Sequence, residues 1–142
     1  MPGKPFFLDS NGWVAALNTR ESLHPIAGKS WLELSREWRA VVLTDRVVAE
    51  TGNGLARTGA RDRFVETVQQ MRRNPRFRIV SVGPELMERA LLLYGDRPDK
   101  TWGLVDCASF VVMKDEGIAD AFTTDRHFEQ AGFKCLLPVS AL

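Results

Sequence analysis

The chain has 142 residues, 44% of them hydrophobic, which predicts a single domain over residues 1–142 with a sizeable core. Its formal net charge of +1 neither indicates nor excludes a nucleic-acid binder, because such binding requires only a local basic patch. No apolar run is long enough to span a bilayer or to form a signal-peptide core. Cys107 and Cys135 lack metal-ligand spacing and suit a reduced compartment, so we expect a cytoplasmic protein that contacts no membrane.

The first part of the chain alternates short apolar runs with helical patterns. Phe6–Leu8 predicts a buried strand that runs directly into Asp9, a side chain that either lies at a site or caps the next helix. Apolar residues between 13 and 17 indicate that short helix. The β-branched run at 41–43 predicts a second buried strand. Between them, an amphipathic helix is predicted by a stripe at helical spacing: Ala27, Trp31, Leu34 and Trp38.

The middle of the chain contains two helices, a strand and a further helix. Residues 45–57 are predicted to be helical and carry Glu50, although the Gly52–Gly54 segment weakens the pattern. Residues 61–74 form a clearer amphipathic helix that stops before a proline. Residues 77–82 predict a third strand, after which Gly83-Pro84 opens another helix.

The late helix, predicted over residues 102–116, contains an unusual aspartate. Asp106 is the only charged residue between Lys100 and Lys114, and its neighbours are apolar nearly all round. Such a helix is buried, so a lone aspartate in it must be paired, bind a metal or line a site. Thr101 is the better helix start, and we therefore do not expect Asp106 to act as a cap.

Two short strands complete the pattern. Residues 121–125 predict a fourth strand that also ends in a carboxylate, Asp125, and residues 134–138 predict a fifth. Strands that alternate with helices indicate parallel crossovers. We therefore predict an α/β protein with a three-layer α/β/α fold and a central, mostly parallel five-stranded sheet.

Four acidic residues stand out by their positions, namely Asp9, Glu50, Asp106 and Asp125. Neighbouring parallel strands end on the same edge of a sheet, where Asp9 and Asp125 would meet if their strands are adjacent. Carboxylates that are driven together raise one another's pKa, and a divalent cation relieves this repulsion. Ligation by oxygen alone selects Mg²⁺ or Mn²⁺, an ion that can activate water for displacement at phosphorus.

This pattern resembles the PIN-domain family of ribonucleases, which includes the VapC toxins. Each motif alone is weak, but together they cover nearly the whole chain in order. The resemblance is carried by four segments: Phe7-Leu8-Asp9-Ser10-Asn11, Val48-Ala49-Glu50, Leu104-Val105-Asp106-Cys107-Ala108-Ser109 and Thr123-Thr124-Asp125-Arg126-His127-Phe128.

The resemblance implies a Mg²⁺- or Mn²⁺-dependent endoribonuclease, the toxin of a type II toxin–antitoxin pair. It implies that Asp9, Glu50, Asp106 and Asp125 surround one or two metal ions. It also implies a polar group near the first aspartate and another near the last, here Ser10 or Asn11 and Thr124. The implied partners are an RNA substrate, a small antitoxin protein and a second copy in a homodimer.

The remaining polar residues leave two interpretations open. His127 follows Asp125 closely and is either a contact to a substrate phosphate or an ordinary, partly exposed histidine. Basic residues concentrated in the middle of the chain either follow a phosphate backbone or form a solvated helix face. These basic residues are Arg57, Arg61, Arg63, Arg72, Arg73, Arg76 and Arg78.

Two other functions compete with the nuclease hypothesis. A receiver-like signalling domain also holds Mg²⁺ in an acidic pocket, but it needs an aspartate at the end of a middle strand, where this chain has Gly83-Pro84. A catalytically silent PIN-like scaffold that only binds a partner is the second alternative. The presence of all four acidic residues gives no support to a loss of catalysis.

Overall fold

The computed structural model describes residues 3–139, which form a five-stranded sheet flanked by helices. The strands are β1 (Phe6–Leu8), β2 (Val41–Thr44), β3 (Phe77–Val80), β4 (Asp120–Phe122) and β5 (Lys134–Cys135). The helices are α1 (Ser10–Leu17), α2 (His24–Arg36), α3 (Asp45–Leu55), α4 (Arg61–Arg73), α5 (Pro84–Asp96), α6 (Leu104–Asp115) and α7 (Arg126–Gln130). Over these residues, no helix has the length and apolar character that crossing a membrane requires.

The sheet has the strand order β3-β2-β1-β4-β5, and every recorded strand pair is parallel. Helices α1 to α4 pack in one connected group, and α5 to α7 pack in another. The predicted three-layer α/β/α fold is confirmed, and the sheet within residues 3–139 is wholly parallel. Chain order reverses between β1 and β4, and open α/β sheets bind their ligands at such a switch point.

The core is built on the central strands. Every residue of β1 and β2 is buried, because a parallel strand covered on both faces has no solvent-facing side. Trp31 of α2 packs edge-on against two rings, at centroid distances of 5.9 Å from Phe6 and 5.3 Å from Phe122. Trp31, a residue of the predicted apolar stripe, therefore packs against the core.

Trp38 departs from the predicted stripe. Helix α2 ends at Arg36, and the backbone of Trp38 takes a φ of +55° as the chain turns toward β2. The residue is 68% exposed, with the Arg76 guanidinium 5.5 Å from the centroid of its ring. The prediction that Trp38 continues the helical stripe is wrong, because the turn breaks the helical spacing first.

Several predicted element ends also differ. Strand β4 stops at Phe122, so residues 123–125 lie in a loop rather than in the strand. The third strand ends at Val80, and the fifth contains only Lys134–Cys135. Sequence pattern cannot show where the ladder stops, since that depends on the length of the neighbouring strand.

Candidate metal centre

Asp9 leaves the carboxyl end of β1 and is only 3% exposed. It is the N-cap residue of α1 by position, but its side chain makes no capping hydrogen bond. Instead, its Oδ2 atom lies 2.8 Å from the hydroxyl of Thr123, which follows β4. The strand pairing explains this contact, because Leu8 is in register with Phe122 and the next residues on the two strands are Asp9 and Thr123.

Burial raises the pKa of Asp9 to about 7, and the negative charges of Asp106 and Glu50 add to this effect. The Thr123 hydrogen bond acts in the opposite direction but does not compensate. A carboxylate with so high a pKa lacks enough positive charge or hydrogen bonding to stabilise its ionised form. Asp9 is therefore a position where a cation would be strongly favoured.

Thr123 is the site residue that the sequence analysis missed. Its hydroxyl lies 2.8 Å from both Asp9 Oδ2 and Asn11 Oδ1, and it accepts the backbone N–H of Asp125 at 3.0 Å. The backbone N–H of Thr124 also donates to Asn11 Oδ1, at 3.1 Å. Thr123 thus ties the end of β1 to the end of β4. Its role could be predicted only from the register of β1 with β4, which places Thr123 opposite Asp9.

Asp106 lies in the first turn of α6 and accepts the backbone N–H of Gly103 at 3.0 Å. The expectation that Asp106 has no capping role is wrong, because α6 begins at Leu104 rather than at residue 102. Burial raises the pKa of Asp106, and the charge of Asp125 raises it further. The carboxylate therefore stabilises the helix start and still lacks charge compensation.

Asp125 and His127 complete a tight group with Asp106. Asp125 caps α7, with its Oδ1 accepting the backbone N–H of His127 at 2.9 Å. The ring atom Nδ1 of His127 lies 3.2 Å from Asp106 Oδ2 and 3.4 Å from Asp125 Oδ1. One ligand atom from each of these three residues lies within 4.8 Å of the others, a spacing that could hold a metal ion.

Glu50 and Ser10 form the outer side of the site. Ser10 Oγ donates to Glu50 Oε1 at 2.5 Å, which brings Glu50 next to the residue after Asp9. Helix α3 continues through Gly52–Gly54 to Leu55, so the glycines do not displace Glu50. Glu50 is exposed, and neither it nor Asp9 belongs to the tight group of Asp106 with Asp125 and His127.

The donor set fits a hard divalent cation. Among residues 3–139, no lysine or arginine forms an ion pair with Asp9, Glu50, Asp106 or Asp125; only His127 approaches two of them. Four carboxylates around the same strand ends therefore lack the positive charge that such a cluster requires. Oxygen donors with one imidazole suit a divalent ion such as Mg²⁺ or Mn²⁺.

Several of the mid-chain arginines have structural partners. Arg76 donates to the backbone oxygens of Arg39 and Ser35, and Arg78 pairs with Glu116. Arg63 donates to the backbone oxygen of Leu17. These contacts favour a structural role for Arg63, Arg76 and Arg78.

Comparison with known proteins places this chain in a family. The family model described as "PIN domain" matches residues 6–134. The chain is 28% identical over 127 residues to the "23S rRNA-specific endonuclease VapC20" of Mycobacterium tuberculosis, covering 89% of this chain and 94% of that protein.

Two solved structures show the same architecture. The crystal structure of Mycobacterium tuberculosis VapC20, described as a "Sarcin-Ricin loop cleaving toxin", superposes with a TM-score of 0.78 at 27% identity and covers 90% of this chain and 95% of that one. VapBC2 from Rickettsia felis, bound to a promoter DNA fragment, gives a TM-score of 0.64 at 15% identity and covers 92% of this chain and 96% of that one, a likeness of fold alone. Because the family match spans almost the whole described chain and the fold agrees with it, this chain belongs to the PIN domain family.

Proposed function

We propose that this chain is a divalent-metal-dependent endoribonuclease, the toxin of a type II toxin–antitoxin pair. The observation that carries the proposal is the convergence of carboxylates at the β1–β4 switch point, where Asp9 is 3% exposed and forms no ion pair with a basic side chain of residues 3–139. Nothing in the packing needs a buried, uncompensated carboxylate there, since such a group costs stability. A bound cation would neutralise these carboxylates and so account for their convergence.

In this proposal Asp9, Glu50, Asp106 and Asp125 hold Mg²⁺ or Mn²⁺ directly or through water, and they are the catalytic residues. An ion held by these residues would supply the chemistry of an activated water and of charge neutralisation at the phosphorus. Thr123 holds Asp9 through its hydroxyl at 2.8 Å and so orients that ligand.

The other predicted contacts surround this pocket. Ser10, Asn11, Thr124 and His127 are proposed to lie near the substrate phosphates. Asn11 already positions the β4 loop by accepting the Thr124 backbone N–H, and Ser10 donates to Glu50. These residues would orient the RNA strand relative to the carboxylates rather than perform the cleavage.

The proposed substrate and antitoxin partner are taken from what the names of the similar proteins state. The similar VapC20 is named as a 23S rRNA-specific endonuclease, so ribosomal RNA is the first substrate class to test for this chain. The Rickettsia felis structure is a VapBC complex, and we propose a cognate antitoxin for this chain as well. The proposal also includes a homodimer, one nuclease domain over residues 1–142 and a cytoplasmic location, where both RNA and antitoxin would be available.

The receiver-like alternative is less well supported. Receiver domains share the flavodoxin-like strand order 2-1-3-4-5, whereas this sheet has the order 3-2-1-4-5. The third strand β3, expected as a middle strand, lies instead at an edge of the sheet, and it leads from Val80 into Gly83 rather than into an aspartate. The silent-scaffold alternative conflicts with the uncompensated charge of Asp9, since a chain that only binds a partner has no need of it.

The experiment is cleavage of purified 23S rRNA, and of total RNA, by the full chain with Mn²⁺ or Mg²⁺. Asp9→Asn and Asp106→Asn should each reduce the rate by roughly 100-fold or more, because metal-assisted charge stabilisation is worth several kcal/mol. Asp115→Asn is the matched control. Asp115 lies at the far end of α6 and forms its ion pair with Arg89, away from the four carboxylates, so its loss should leave the rate unchanged.

Two results would contradict the proposal. Cleavage that persists with a chelator, or that is equal in wild type, Asp9→Asn and Asp106→Asn, would assign the activity to another site or to a contaminant. Metal binding without cleavage of any RNA would favour the silent scaffold.

A further inference from the structure

We propose that His127 is itself a ligand of the metal, through its Nδ1 atom, so that the site contains one nitrogen among its oxygen donors. This inference rests on the proposed metal site and specifies one of its ligands. It replaces the expectation that His127 contacts only a substrate phosphate.

The first support is the position of the ring. Nδ1 of His127 lies 3.2 Å from Asp106 Oδ2 and 3.4 Å from Asp125 Oδ1, so it faces both carboxylates at once. These three side chains are the group whose ligand atoms all lie within 4.8 Å of one another. A divalent ion bound at about 2 Å from each ligand needs donors at roughly this separation.

The second support is the contact of the outer ring nitrogen. Nε2 of His127 lies 3.2 Å from Thr101 Oγ1, an oxygen that can accept a hydrogen bond. If Nε2 carries the proton and donates to Thr101, Nδ1 presents a lone pair toward the carboxylates. Histidines that bind metals commonly donate their other ring N–H to such an oxygen, which fixes the tautomer.

The third support is that the backbone holds His127 and Asp125 in one unit. The Asp125 carboxylate accepts the His127 backbone N–H at 2.9 Å at the start of α7. The ring is only partly exposed, and its two nitrogens contact Asp106 of α6 and Thr101, which precedes α6. A ligand held in this way needs little rearrangement to bind an ion.

Two other roles for His127 make different predictions for metal binding without RNA. A protonated ring that serves as counter-ion to Asp106 and Asp125 would compete with the metal, so its removal would strengthen Mn²⁺ binding. A ring that contacts only a substrate phosphate would leave Mn²⁺ binding unchanged. A ligand role requires that its removal weaken Mn²⁺ binding.

The test is titration of the metal-free full chain with Mn²⁺, followed by electron paramagnetic resonance, with Mg²⁺ as competitor. His127→Gln should weaken Mn²⁺ binding by roughly tenfold or more, and weaken Mg²⁺ binding less, because imidazole nitrogen is a softer donor than carboxylate oxygen. Pulsed measurements should detect coupling of bound Mn²⁺ to a ¹⁴N nucleus in wild type and not in His127→Gln.

The second histidine of the chain provides the matched control. His24 contacts the Ala15 backbone oxygen through Nδ1 at 2.9 Å and is not part of the acidic group. His24→Gln should keep both the Mn²⁺ affinity and the ¹⁴N coupling. Thr101→Val, which removes only the partner of Nε2, should weaken Mn²⁺ binding by a smaller factor and retain the coupling.

The inference is overturned if wild type with bound Mn²⁺ shows no ¹⁴N coupling, or if His127→Gln binds Mn²⁺ equally or more tightly. The wild-type spectrum decides this even if a variant fails to fold. RNA cleavage by wild type is measured in the same preparation. Nitrogen coupling without cleavage would refute the proposed function alone, and cleavage without nitrogen coupling would refute the ligand role alone.

Discussion

At the scale of single residues, the buried carboxylate of Asp9 destabilises the metal-free fold and favours the binding of a cation. Its carboxylate is buried, and the charges around it are negative, so its pKa rises to about 7 from an ordinary value of 3.8. Between these two pH values the folded protein keeps a proton that the unfolded chain has released. The free energy of unfolding without metal therefore falls as pH rises through this window, and the contribution of Asp9 is level above it.

Asp9→Asn should remove this dependence. At pH 8 and without metal, the variant should be more stable than wild type by roughly 1 to 4 kcal/mol, because it buries no charge. The advantage should shrink toward zero near pH 4, where Asp9 of the wild type is protonated. Urea unfolding across pH measures both quantities. Added Mg²⁺ should stabilise wild type more than the variant, and the opposite order would show that Asp9 does not favour the ion.

At the scale of elements, the approach of α1 to β4 decides whether the site can form. A Cβ atom built on Gly12 would lie 2.2 Å from the backbone oxygen of Phe122, an atom that cannot rotate away. Helix α1 thus lies against the end of β4 only because this residue has no side chain. The same approach brings Asn11 within reach of Thr123.

Gly12→Ala should destabilise the protein by roughly 3 kcal/mol, because the strand and helix must separate to make room. Gly28→Ala is the matched control, since a Cβ there meets nothing within 4 Å inside α2. That variant should gain about 0.5 to 1 kcal/mol from helix propensity. Urea unfolding of both proteins tests the pair, and equal stabilities would show that the close packing of α1 on β4 is not required.

At the scale of the whole molecule, the edge of the sheet opposite the site depends on Arg39. Its guanidinium donates to Asp120 Oδ2 at 2.6 Å and to the Lys4 backbone oxygen at 2.6 Å, and it lies 5.3 Å from the centroid of the Phe6 ring. The pair joins the segment before β2 to the start of β4. Removing one partner would leave the other partly buried without compensation.

Arg39→Met should lower the free energy of unfolding by roughly 2 to 4 kcal/mol. Adding Asp120→Asn to that variant should recover part of the loss, since the unpaired carboxylate is then gone. Thermal and urea unfolding of the two single variants and the double variant measure the coupling. Additive losses would show that the two side chains stabilise the fold independently.

The sequence by itself determined the class of fold and the four acidic positions. A buried parallel strand is a continuous apolar run, and an amphipathic helix repeats its apolar residues at helical spacing. The strand Phe6–Leu8 and the stripe through Trp31 could therefore be recognised without knowledge of any tertiary contact. Asp9 and Asp125 were recognisable because charges interrupt or end such runs. Asp106 was recognisable because its neighbours are apolar nearly all round.

Only the tertiary structure decided which atoms meet. Thr123 reaches Asp9 because Leu8 and Phe122 are in register, and Asp106 accepts from Gly103 because α6 begins at Leu104. His127 faces two carboxylates because α6 and α7 bring their first turns together. Each of these contacts depends on strand register or on where a helix begins, and these are set by packing between distant segments rather than by local sequence.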